Sequence, residues 1–90
     1  MVPPPRRLVR RAREAVDVSR ALMKRARRKG GAERSPEVAA AIDAVEEILS
    51  KRRRGAMDGA RLQERLEKLD NLTEEVLAHF RKSPFREYVE

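Results

Sequence analysis

The side chains that could do chemistry are few and scattered. His79 is the lone histidine, and Glu75 stands four residues before it, on the same face of any helix that holds them both. One imidazole and one carboxylate make at most half of a tetrahedral zinc site, and the absence of cysteine removes thiolate ligands and redox chemistry. The hydroxyls are Ser19, Ser35, Ser50, Thr73 and Ser83. None sits in a strained turn or beside a plausible base, and Lys24 near Ser19 is a solvated cation rather than half of a Ser/Lys dyad. Gly30-Gly31 follows a helical pattern instead of a strand, so it makes no phosphate loop. The sequence therefore predicts no catalytic residue, no metal site and no cofactor.

Cations are abundant. The net charge is +7, from 22 basic and 15 acidic residues. Residues 1–30 carry eleven basic and two acidic side chains, and Lys51 to Arg54 is an unbroken basic run. Such a field favours anionic partners: nucleic acid, acidic lipid or an acidic protein face. Base-specific DNA reading would want Asn or Gln at the start of a recognition helix, but Gln63 and Asn71 both fall on a mildly acidic segment. Phe80, Phe85 and Tyr88 are the only aromatics and are confined to the last eleven residues, so no stacking platform for single strands accompanies the arginines.

The elements that must position these groups are helices. Leu8, Ala12, Ala15/Val16, Ser19, Leu22/Met23 and Ala26 recur at three- and four-residue steps, which predicts helix one over about 6–29, with Arg10, Arg13, Arg20 and Arg27 on the opposite face. Arg27, Arg28 and Lys29 suit the negative end of its dipole, and Gly30-Gly31 stops it. Ser35, Pro36 and Glu37 form a helix start, and Val38, Ile42, Val45 and Leu49 give helix two its stripe over about 36–52, with Gly55 as the stop. Helix three is expected over about 58–82, with Asp58 as N-cap and Leu62, Leu66, Leu69, Leu72, Val76 and Phe80 in register; Asp70-Asn71 could relax a turn midway. A link of about five residues makes helices two and three an antiparallel pair. Because helix two supplies helix three with a partner inside the chain, an internal hairpin is the more economical reading than a coiled coil. Helix one, with its alanine-rich stripe, either closes a three-helix bundle or lies loosely on the hairpin. The expected fold is all-α, without a strand. Residues 1–5 form a Pro-rich extended tail, and Ser83-Pro84 starts a further helix that reaches only one and a half turns by Glu90, too short to be stable alone.

No apolar run approaches the ~20 residues that span a bilayer, and Arg6-Arg7 is not followed by the apolar core of a secretory signal. The Asn71–Thr73 glycosylation pattern is read as chance for that reason. At this length a chain buries only roughly 60% of its unfolded surface, so its stability is modest.

The segment from Leu69 to Glu90 ends in Arg81-Lys82-Ser83-Pro84-Phe85-Arg86-Glu87-Tyr88-Val89-Glu90. It resembles the cytoplasmic stretch that precedes the membrane segment of bacterial type I signal peptidases with long helical N-terminal extensions, where a leucine-spaced helix leads into an "RKS-x-x-REY-x-E" phrase. The resemblance implies a non-catalytic segment on the cytoplasmic side of the bacterial inner membrane, in a serine protease that removes signal peptides from exported proteins. The family's serine nucleophile, lysine base and membrane anchor have no counterpart in these 90 residues. It also implies partners: the rest of the parent protein and an anionic membrane surface, touched by Arg6, Arg7, Arg10, Arg13, Arg27, Arg28, Lys29, Arg81, Lys82 and Arg86. The alternative readings are a free-standing basic module that binds nucleic acid or an acidic protein, and an inert spacer. No small-molecule ligand is expected.

Overall fold

The computed structural model describes residues 2–29 and 35–82, with side chains described for 2–25 and 36–78. Among the described residues there are three α-helices: α1 (Arg6–Lys29), α2 (Ser35–Leu49) and α3 (Gly59–Lys82). Among the described residues there is no strand. The all-α expectation holds, and helix one closes a three-helix bundle. The expected helix from Ser83 lies outside the described residues, as do Gly30 and Gly31.

The core is the set of apolar stripes turned inward. Val38, Ala41, Ile42, Val45 and Ile48 from α2 meet Leu62, Leu66, Leu69 and Val76 from α3, all buried. Ala12, Val16 and Leu22 of α1 join them, with Leu8, Ala15 and Met23 half-buried beside them. Ser19 is the exception in composition, a hydroxyl only 1% exposed on the inward face of α1. The α2–α3 pair is the most extensive of the three helix interfaces.

The helices run up, down and up. Gly59 donates its backbone N–H to the Val2 carbonyl at 2.7 Å, and Arg11 reaches Asp70 at 3.2 Å, so α1 and α3 climb side by side in the same direction. Arg20 pairs with Glu46, and Arg65 donates to the Ala44 carbonyl at 2.9 Å, which fixes α2 antiparallel to both. With 24, 15 and 24 residues, α2 is the short member. It covers the second half of α1 and leaves the first half to another element. The whole is elongated, 46 × 21 × 17 Å.

That other element is the connection, residues 50–58, and here the structure departs from the sequence reading. α2 ends at Leu49 rather than near Arg52. The Ser50 N–H closes on the Glu46 carbonyl at 2.8 Å and that of Lys51 on Ile48 at 3.2 Å, the tightening of a last turn. Ser50 Oγ donates to the Glu47 carbonyl at 2.7 Å. A 3-10 turn, Arg54–Ala56, follows. The physical reason for the early exit is Met57: it is buried in the core, and the chain must fold back over the end of the bundle to put it there. A helix continued to Arg52 would carry it past that point.

Asp58 caps α3 as expected, its Oδ1 accepting from Ala60 and Arg61 at 3.1 and 3.4 Å. The Asp70-Asn71 step does not interrupt α3. Thr73 Oγ1 donates to the Asp70 carbonyl at 2.9 Å, which satisfies the hydroxyl without opening a turn. The N-terminal tail is anchored as well as extended: Pro4 is fully buried, and Val2 supplies the acceptor for the first amide of α3. Glycine is required at position 59 for this, because a Cβ there would stand 2.8 Å from the Val2 carbonyl oxygen.

Candidate anion-binding groove

Between the first half of α1 and the connection lies an open groove of about 560 Å³. Its α1 wall carries Arg6, Arg10 and Arg13, spaced i, i+4 and i+7 and so projected from one helix face. Its other wall carries Arg52 and Arg54. Arg53 between them has extended backbone, φ −110° and ψ 133°, which sends its two neighbours to the same side. Val9 and Met57 form the floor, and Glu14 and Asp17 mark the end nearer the middle of the bundle.

These arginines are set apart by gathering on two facing walls without a carboxylate partner. Four guanidinium groups elsewhere on the bundle are matched: Arg11 to Asp70 at 3.2 Å, Arg20 to Glu46, Arg61 to Asp58 at 3.9 Å and Arg65 to Glu47 at 3.4 Å, whereas Arg7, Arg25 and Arg53 have no such pair among the described residues. Most of these pairs are exposed and contribute at most about 1 kcal/mol each, but they consume the local charge. Arg6, Arg10, Arg13, Arg52 and Arg54 make no ion pair among the described residues. The first amides of α1, at Arg6 and Arg7, also meet no protein acceptor among the described residues. The positive end of the helix dipole therefore stands open at this end of the bundle.

The fold divides nine of the ten candidate contacts between two ends. Arg6, Arg10 and Arg13 line the groove, with Arg7 exposed beside them. Arg27, Arg28 and Lys29 occupy the last turn of α1, and Arg81 and Lys82 the last turn of α3, which is the opposite end because the two helices are parallel. Arg86 lies outside the described residues. At a rise of about 1.5 Å per residue the two sets on α1 stand between about 21 Å (Arg13 to Arg27) and about 35 Å (Arg6 to Lys29) apart. The sequence reading counted Lys51–Arg54 as a basic run but did not place it in the site. The signal that could have done so was Met57, an apolar residue in an otherwise polar link, which pulls the run against α1.

The hydroxyls are placed away from acid–base partners. Ser19 is buried while Lys24 is exposed, and Ser50 and Thr73 donate to backbone carbonyls. No group of three or more His, Cys, Asp and Glu that could hold a metal occurs among the described residues. Likewise, among these residues no helix is long and apolar enough to cross a membrane.

Compared with protein-family models, curated proteins and solved structures, the chain finds no match.

Proposed function

We propose that the chain is the cytoplasmic helical region of a signal peptidase I-like membrane serine protease, a part that tethers or orients the enzyme and does not cleave. The observation that carries this reading is the similarity of residues 69–90 to the stretch before the membrane segment in that family, above all the run from Arg81 to Glu90. The geometry is compatible with it. The leucine-spaced part of the similarity lies on α3, which continues unbroken through Lys82. Arg81 and Lys82 in its last turn share an end of the bundle with Arg27, Arg28 and Lys29 of α1. Cations gathered just inside a membrane follow the positive-inside preference, and each one that reaches anionic headgroups contributes on the order of 1 kcal/mol.

The test is the reading frame beyond codon 90 in the source genome. The proposal expects a run of about twenty apolar residues soon after it, followed by the serine and lysine motifs of the family. A stop codon with no such frame removes the reading.

A further inference from the structure

We propose that the groove between the first half of α1 and the α2–α3 connection binds the phosphodiester backbone of a nucleic acid without reading its bases. Five guanidinium groups face it from two walls, and none is engaged by a carboxylate of the bundle, in contrast to Arg11, Arg20, Arg61 and Arg65. Holding like charges together without partners is unfavourable in the free protein, and an anion at the groove relieves that cost. The planar fork of arginine matches the geometry of a phosphate, and the open start of α1 adds backbone donors of the same polarity.

The shape and lining select among polyanions. A lipid surface is flat and is held by apolar side chains that insert beside the cations. Here the cations face one another across a concavity, and its apolar members are a half-buried Val9 and a buried Met57. A protein face is usually held by aromatic anchors in desolvated pockets beside its arginines, and the groove is open and lined by no aromatic ring. A strand of phosphates needs only the guanidiniums. Glu14 and Asp17 repel it at the inner end, so the strand crosses nearest Arg6, Arg10 and the connection. No amide side chain or aromatic ring lines the groove, and the guanidiniums in an open concavity are assigned to the phosphates, which position a strand without carrying sequence.

The groove lies at the end of the bundle opposite Lys82, about 36 Å away along α3. In the membrane-protease reading it would therefore point into the cytoplasm when the bundle stands upright. The inference does not rest on that reading, and the frame beyond codon 90 has no bearing on it.

The experiment measures anisotropy of a labelled DNA duplex and a labelled RNA hairpin of unrelated sequences, titrated with the full chain. If four guanidiniums neutralise phosphates, affinity falls about 150-fold between roughly 50 and 200 mM salt, from a slope of about −0.9 per contact on duplex DNA. The double variant Arg6→Ala/Arg10→Ala loses at least about tenfold at low salt and its slope flattens by about two contacts. The double Arg11→Ala/Arg25→Ala removes the same net charge away from the groove, and its affinity stays within about threefold of the parent. Arg52→Ala, outside any helix, repeats the groove effect at about one contact's worth if the α1 double proves unstable. Equal losses in the two doubles overturn the proposal, as does the absence of binding to either probe at low salt. Binding confined to phosphatidylglycerol vesicles overturns it in favour of a membrane surface.

Discussion

The α2–α3 hairpin and helix α1 are held in the same core by different means. The hairpin seam is built from large aliphatic side chains, Val38, Ile42 and Val45 against Leu62, Leu66 and Leu69. The inward face of α1 alternates small and medium residues: Ala12, Val16, Ser19 and Leu22. Large side chains contribute most of the transfer free energy of burial, roughly 1.5–3 kcal/mol each when fully covered. Small ones contribute less. The two helical parts divide the labour. The hairpin supplies the stability, and α1 is a basic rod laid against it whose outer face is left to carry unpaired arginines. A helix with a thick leucine stripe would have docked more firmly. It would not have changed the charge on its far side.

The sharpest way to break this comparison is to truncate equivalent positions in the two seams. Leu66 is 1% exposed at the centre of the hairpin, and Leu66→Ala should cost about 3 kcal/mol, by lost transfer energy and the cavity left behind. That is a large part of the 5–15 kcal/mol typical of a small domain. Val16→Ala on α1 removes fewer atoms from a less extensive interface and should cost about half as much. Urea unfolding of both variants checks it. Equal costs would mean that α1 is as central to the fold as the hairpin, and the division above would fail.

How α1 is fastened at its start gives a second, smaller effect. Its approach depends on Gly59, where an added Cβ would meet the Val2 carbonyl oxygen at 2.8 Å and Pro4 at 3.2 Å. Gly59→Ala should displace the tail, lose the Gly59–Val2 hydrogen bond and the burial of Pro4, and cost about 1–2 kcal/mol. The same substitution in a chain lacking residues 1–4 should be neutral or slightly stabilising, because only the gain in helix propensity is left. A double-mutant cycle by thermal melting separates the two. If Gly59→Ala costs the same with and without the tail, the contact between them contributes nothing.

Much of this architecture could be read in the sequence, and the parts that could not share a cause. The three-and-four spacing of Val38, Val45, Leu62, Leu66 and Leu69 predicts the buried faces, and Asp58 announces the start of α3, because these signals are local. The end of α2 was not legible. Lys51 to Arg54 suits the last turn of a helix electrostatically, and only the demand of Met57 for burial at the end of the bundle takes the chain out at Leu49. The groove was half legible for the same reason. Arg6, Arg10 and Arg13 share a face by spacing alone, but Arg52 and Arg54 join them because α2 is too short to cover α1, a fact about three elements at once. The anchoring of the tail was hidden too, since three prolines say how the chain is extended and nothing about what it touches.

The smallest effect concerns the one polar residue in the core. Ser19 is 1% exposed on the inward face of α1, and its hydroxyl has no hydrogen-bond partner among the described residues. A buried hydroxyl without a partner carries its desolvation cost uncompensated. Serine is also a poorer helix former than alanine by a few tenths of a kcal/mol. Ser19→Ala keeps nearly the same volume, so the packing of α1 survives. It should raise stability by about 1 kcal/mol, seen as an increase of roughly 4–8 °C in Tm for a domain of this size. The size of the gain sharpens the contrast between the seams. If α1 docks through small side chains alone, removing the hydroxyl strengthens it. A fall in Tm would show instead that the hydroxyl is hydrogen-bonded in solution, and that α1 is held by a polar contact as well as by its fit.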